Sequence, residues 1–153
     1  MRFFVLLGLL FITNCGFTPL YSTTEMPNVC VSSIPEQSGF ILHQILTDRF
    51  TGKNNCPYTL TVQTPKFSYA DIGISDHSFT TMQRVRVSTS YALLDSQHKN
   101  ILKASASTDG STSIITNPYA SVVSRETTSQ DLLKILAKQI ETHISSFLLK
   151  DTQ

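Results

Sequence analysis

The chain has 153 residues, with 12 Lys and Arg against 11 Asp and Glu, for a formal charge of +1. That length suits one domain able to bury about two-thirds of the surface its unfolded chain exposes. So balanced a charge argues against a nucleic-acid surface, whose affinity for phosphates comes mainly from clustered Lys and Arg, and no repeat, heptad series or low-complexity tract is present.

Residues 1–14 have the layout of a cleaved bacterial lipoprotein signal. Arg2 supplies the positive start, Phe3 to Ile12 form an unbroken apolar run, and Ile12-Thr13-Asn14-Cys15 closes it like a processing site. The run is too short for a bilayer span, which needs about 20 residues. Cleavage would leave Cys15 as the first residue, carrying fatty chains. The competing reading is an ordinary secretory signal with a coincidental cysteine. Gly16 follows Cys15 where an Asp would signal retention in the inner membrane, so the expected destination is the outer membrane, on its periplasmic side. Residues 15–27 contain Pro19, Ser22-Thr23-Thr24 and Pro27 and are expected to be an extended tether. Residues 28–153 are expected to form a single domain.

Within that domain, Asn28 to Ile34 alternates and reads as a first short strand. From Ser38 to Phe50 the apolar residues Ile41, Leu42, Ile45, Leu46 and Phe50 recur at helical spacing, with Gly52 placed to supply a left-handed residue after the last turn. Tyr58, Leu60 and Val62 alternate with polar neighbours as in a strand. Residues 67–79 read as a strand end followed by a long loop. Val85, Val87, Thr89, Tyr91 and Leu93 alternate with Arg84, Arg86, Ser88, Ser90 and Ala92, and Leu102, Ala104 and Ala106 continue the pattern beyond the polar turn at 95–100. This predicts a long antiparallel hairpin. Asn117-Pro118 predicts a helix start, and Leu132, Leu133, Leu136, Ile140, Ile144, Phe147 and Leu148 line one side of the helix that follows. Thr127-Thr128-Ser129 is poor helix material, leaving open one long helix or two segments.

Two helices, each with one apolar stripe, bury all the apolar surface together only when laid on one face of the sheet. The predicted fold is therefore α+β, a two-layer sandwich of about four mostly antiparallel strands with two helices on one face. The other sheet face carries hydroxyls and arginines.

Besides Cys15, the cysteines are Cys30 and Cys56. An oxidising periplasm favours a bridge between them, while two small buried hydrophobes are the alternative. His43, His77, His98 and His143 are isolated, without a second ligand at helical spacing, so no metal site is expected. No phosphate loop, nucleophile elbow or other catalytic or cofactor motif is found, so neither enzymatic activity nor a cofactor is expected.

Cys15-Gly16-Phe17-Thr18-Pro19-Leu20-Tyr21 resembles the CGF-x-PLY opening of the lipopolysaccharide-assembly lipoproteins of alphaproteobacteria, the LptE group. Arg84-Val85-Arg86-Val87-Ser88-Thr89-Ser90-Tyr91-Ala92-Leu93-Leu94-Asp95 resembles that family's central strand, in which Arg precedes alternating residues ending in Tyr-x-Leu-x-Asp. The resemblance implies a four-stranded sheet with two helices on one face. It also implies an outer-membrane lipoprotein that helps a lipopolysaccharide-translocon β-barrel to assemble and plugs it, with no bond made or broken. Arg84 and Arg86, two apart on one strand face, with Lys99 and Lys103 across the hairpin, are the candidate contacts to lipopolysaccharide phosphates or to a partner. The reading from another class is a lipid-anchored periplasmic binding or scaffold module for a different envelope complex.

Overall fold

A computed structural model describes residues 28–50, 52, 56–74, 80–114 and 117–151. The signal segment, Cys15 and the tether expected at 1–27, and His77, lie outside these residues.

The elements run β1 (Val29–Val31), α1 (Gln37–Arg49), β2 (Tyr58–Val62), β3 (Lys66–Ile74), β4 (Thr80–Leu94), β5 (Asn100–Ser113) and α2 (Pro118–Asp151). β4 organises the sheet. From Met82 onward it pairs antiparallel with β5 on one edge, from Met82↔Ser113 to Leu94↔Asn100. Along its other edge lie β2, opposite Tyr91 to Leu94, and β3, opposite Thr80 to Ser88. β2 and β3 are thus two segments of one strand position, and β1 pairs with β2 in parallel outside them. The result is a mixed sheet of five strands in four positions, with both helices packed on one face. It is the expected two-layer α+β sandwich.

The break between β2 and β3 has a chemical cause. Pro65 has no N–H to give the ladder, and the register with β4 slips by one residue between Val62↔Tyr91 and Lys66↔Ser88. Thr89 closes the gap: its hydroxyl donates to the Gln63 carbonyl at 2.6 Å, and the Gln63 N–H donates to the Ser90 carbonyl at 2.9 Å. The slip lets Leu60 and Val62 of β2 and Phe67 of β3 all face the helices despite their different parity.

Val85, Val87, Tyr91 and Leu93 of β4 meet Leu42 and Leu46 of α1 and Leu133, Leu136, Ile140 and Ile144 of α2 in one core. Each such side chain contributes roughly 1.5–3 kcal/mol by leaving water. β5 presents Leu102, Ala104, Ala106, Thr108, Gly110 and Thr112 on this face, opposite Leu93, Tyr91, Thr89, Val87, Val85 and Gln83. These mostly small residues let α2 lie close. A methyl placed on Gly110 would stand 3.2 Å from Cδ2 of Leu132.

Several expectations need correction. The strand expected over Asn28 to Ile34 is shorter, Val29–Val31. The first helix ends at Arg49 with an extended Phe50, whose N–H donates to the Leu46 carbonyl at 3.0 Å. Gly52 is no left-handed cap, since no described glycine has positive φ. It allows close approach instead, for a Cβ there would fall 2.2 Å from the Val29 carbonyl oxygen. Residues 67–74, expected as a strand end and loop, belong to a nine-residue strand. The final helix is continuous through Thr127-Thr128-Ser129, where each hydroxyl is satisfied within the helix by donating to the carbonyl four residues back, on Val123, Ser124 and Arg125, at 2.9 Å. Asn117 caps it as expected, its Oδ1 accepting from the Tyr119 N–H at 3.0 Å. Among the described residues no helix is long and apolar enough to cross a membrane.

Candidate functional site on the uncovered sheet face

The face turned away from the helices is built by the alternate residues of the same strands. β4 contributes Arg84, Arg86, Ser88, Ser90 and Ala92; β5 places Ser111, Asp109, Ser107, Ser105 and Lys103 opposite them. β3 adds Lys66, Ser68 and Ala70, and β2 adds Thr59 and Thr61. Side chains of this kind offer almost no apolar area to a second layer, so the face stays open to water. It is a hydroxyl floor with cations set into it.

Arg84 and Arg86 do lie on one strand face, opposite Ser111 and Asp109. Arg86 Nη2 stands 3.5 Å from Asp109 Oδ1, with side chains 56% and 47% exposed. An exposed pair of this kind contributes little, ~0–1 kcal/mol, so the guanidinium keeps most of its capacity for another anion. The lysines expected beside the arginines are elsewhere. Lys103 sits opposite Ala92, six residues along β4 from Arg86, or about 20 Å at strand spacing. Lys99 belongs to the hairpin turn, where its N–H donates to Asp95 Oδ1 at 2.9 Å and its carbonyl accepts from the Asp95 N–H at 3.0 Å. The cation near the arginines is Lys66, opposite Ser88 and diagonal to Arg86. Alternation alone misses Lys66 and Asp109, because their placement depends on the slip at Pro65 and on the hairpin register.

Two shallow grooves adjoin on this face. One of about 260 Å³ is lined by Thr61, Gln63, Ala92 and Lys103, and one of about 180 Å³ by Gln63, Lys66, Ser88 and Ser105. Lysines stand at the two ends and hydroxyls form the floor. Such a surface offers hydrogen-bond donors and acceptors, with cations at its ends, to a polar ligand that carries negative charge.

On the other face, α1, β3 and α2 enclose a depression of about 290 Å³ lined by Glu36, Phe67, Tyr69, Glu126 and Leu133 among others. Its lining mixes polar and apolar groups. Near it, at the end of the sheet remote from the hairpin turn, Tyr69, Ile72, Met82, Tyr119, Val122 and Val123 are exposed, and Arg125 stands over the Tyr69 ring at 5.4 Å. Chain entry at Val29 is at the opposite end, since Val29 pairs with Tyr58 and Thr59 pairs with Leu94. Twelve residues of β4 separate Met82 from Leu94, about 40 Å.

Cys30 and Cys56 form a disulfide, with S–S 2.02 Å and Cα atoms 5.6 Å apart. His43 Nε2 lies 3.3 Å from the Val31 carbonyl. His143 Nδ1 lies 2.6 Å from the Tyr91 hydroxyl, and His98 occupies the hairpin turn with φ 60°. These three histidines stand apart, each among different neighbours.

This fold is shared with bacterial lipoproteins. Rare lipoprotein B from Shewanella oneidensis is similar at a TM-score of 0.66 and 9% identity, over 84% of this chain and 99% of that one. Lipoprotein B from Nitrosomonas europaea is similar at 0.64 and 12% identity, over 80% and 84% of the two chains. A minor lipoprotein from Acinetobacter baumannii is similar at 0.62 and 15% identity, over 78% and 91%. The likeness is to the LptE-like fold and does not single out an alphaproteobacterial branch. No protein-family model matches the chain. No curated protein matches it by sequence.

Proposed function

We propose that this chain is a lipoprotein anchored through Cys15 on the periplasmic side of the outer membrane, where it helps a lipopolysaccharide-translocon β-barrel to assemble and occupies its lumen. The observation that carries this reading is the union of two independent features. The CGF-x-PLY opening at Cys15–Tyr21 resembles that family's start, and the domain behind it shares its fold with rare lipoprotein B over 99% of that protein. The second family-like segment, Arg84–Asp95, lies on β4 as far as Leu94, the strand that carries the arginines of the open face.

The role is structural. Several fatty chains on Cys15 would make the attachment practically permanent, where one chain holds only reversibly. The domain would then work beside the bilayer, with a hydrated basic face for lipid phosphates and a polar exterior compatible with a barrel lumen.

Purification of the mature protein from outer membranes in mild detergent tests this, combined with mass spectrometry of its N-terminus. The expected result is an acylated Cys15 and co-purification of a large β-barrel. An unmodified N-terminal thiol on a freely diffusing protein, or recovery with an inner-membrane transporter, would overturn it in favour of a binding or scaffold module for another envelope complex.

A further inference from the structure

β5 has one edge on β4, and among the described residues no strand pairs with its other edge. That edge is long. β5 runs for 14 residues without proline, and its register against β4 is unbroken from Leu102 to Ser113. Edge strands are usually blunted by bulges, prolines or brevity, because outward N–H and C=O groups are a template for another strand. In β5 the bulge, at Ile101, is confined to the hairpin end, and Lys103 is its one cation; from Leu102 to Ser113 the edge is regular and free of proline.

The charges on β5 specify what that strand can be. Lys103 and Asp109 are its only charged residues, and both lie on the open face, opposite Ala92 and Arg86. We propose that two copies of this chain join through β5, antiparallel, in the register that sets Ala106 opposite Ala106. That register places Lys103 of each copy directly across from Asp109 of the other, and Asp109 is then flanked by Arg86 on its own side and by a lysine on the other. Registers centred on Lys103 or on Asp109 put like charges face to face, which destabilises a pair. The face toward the helices matches as well. Ala106 meets Ala106, Ala104 meets Thr108 and Leu102 meets Gly110, so that the one large side chain meets a glycine.

Such a pair extends one continuous hydroxyl-bearing face across both molecules. It goes beyond the proposed role at a barrel and does not depend on it.

Oxidative cross-linking of the full chain in isolated envelopes tests the proposal. Directly opposed residues of an antiparallel pair have Cα atoms about 4.5–5.5 Å apart, within disulfide range. Ala106→Cys is expected to give a species of twice the mass, whereas Ser113→Cys, exposed on the same strand but remote from its counterpart, stays single. Lys103→Glu and Asp109→Lys, each added to Ala106→Cys, should lower the cross-linked fraction about tenfold, and the two together should restore it. That restoration separates lost pairing from lost folding. A monomeric Ala106→Cys protein, cross-linking indifferent to both reversals, or adducts formed only with a different protein would each overturn the proposal.

Discussion

Arg49 in the last turn of α1 and Glu141 midway along α2 are 92 residues apart in sequence and 2.6 Å apart between Nη1 and Oε2, with side chains 31% and 17% exposed. This pair ties the two helices together at the rim of the core. Breaking it with Glu141→Gln is expected to cost about 1–2 kcal/mol, between the ~0–1 of exposed pairs and the 3–5 of buried ones. Urea unfolding of the single variants and of the double Arg49→Met/Glu141→Gln variant measures the coupling. A cycle that closes to zero would show that the contact contributes nothing.

Tyr91 supplies a pH signature. Burial raises its pKa above the ordinary 10.0, because the phenolate is less well solvated inside the fold. The folded value lies above the unfolded one, so this stabilisation is complete below pH 10 and fades as pH rises through the folded pKa. Stability of the wild type should therefore decline more steeply above pH 10 than that of Tyr91→Phe. At neutral pH that variant should lose about 1 kcal/mol, the usual net worth of one hydrogen bond such as that to His143. Parallel slopes for the two proteins in alkaline thermal melts would contradict this.

Gly52 should tolerate no side chain. A Cβ would collide with the Val29 carbonyl oxygen and carbonyl carbon, which are backbone atoms and cannot rotate aside. Gly52→Ala is expected to cost about 2–3 kcal/mol, in the upper range for overpacking, and to loosen β1 selectively. Hydrogen exchange at Val29 to Val31 is the measurement; protection equal to wild type would refute the collision.

The Cys30–Cys56 bridge closes a separation of 26 residues that includes α1. By the chain-entropy relation its loss costs roughly 3 kcal/mol. Cys30→Ser/Cys56→Ser should lower the unfolding midpoint accordingly, and reduction of the wild type should reproduce the shift.

Reversal of both arginines, Arg84→Glu/Arg86→Glu, is expected to weaken lipopolysaccharide binding about tenfold or more, since charge-assisted contacts to phosphate are lost. Circular dichroism should be unaltered, because both side chains are exposed. Binding equal to wild type in the folded variant would remove this face from lipid contact.

The sequence shows much of this architecture because its periods are clean. The alternation from Arg84 to Leu93 and the stripe from Leu132 to Leu148 each name a face without help from the rest of the chain. Residues 67–74 are less legible, since Asp71 and Gly73 interrupt their pattern and register shifts with β4 occur there. Continuity of α2 is equally hidden, since the low helix propensity of Thr127-Thr128-Ser129 is overridden by the packing of the helix that contains them. In the candidate site, adjacency on one strand is legible, so Arg84 and Arg86 fall together. Adjacency across strands is not: Lys66 stands beside the arginines and Lys103 does not, because a single slipped residue at Pro65 and the length of the hairpin decide which cations become neighbours.

The arrangement of β1 has a mechanical consequence. The chain enters along the axis of a strand lying parallel to β2, so a pull on the N-terminus loads those inter-strand bonds in shear, side by side, and does not peel them one after another. If they yield, extension stops at Cys30, where the load passes through sulfur to Cys56 and into β2. A domain dragged by its leading end would stretch by only a few residues before a covalent stop takes the strain and leaves the body intact.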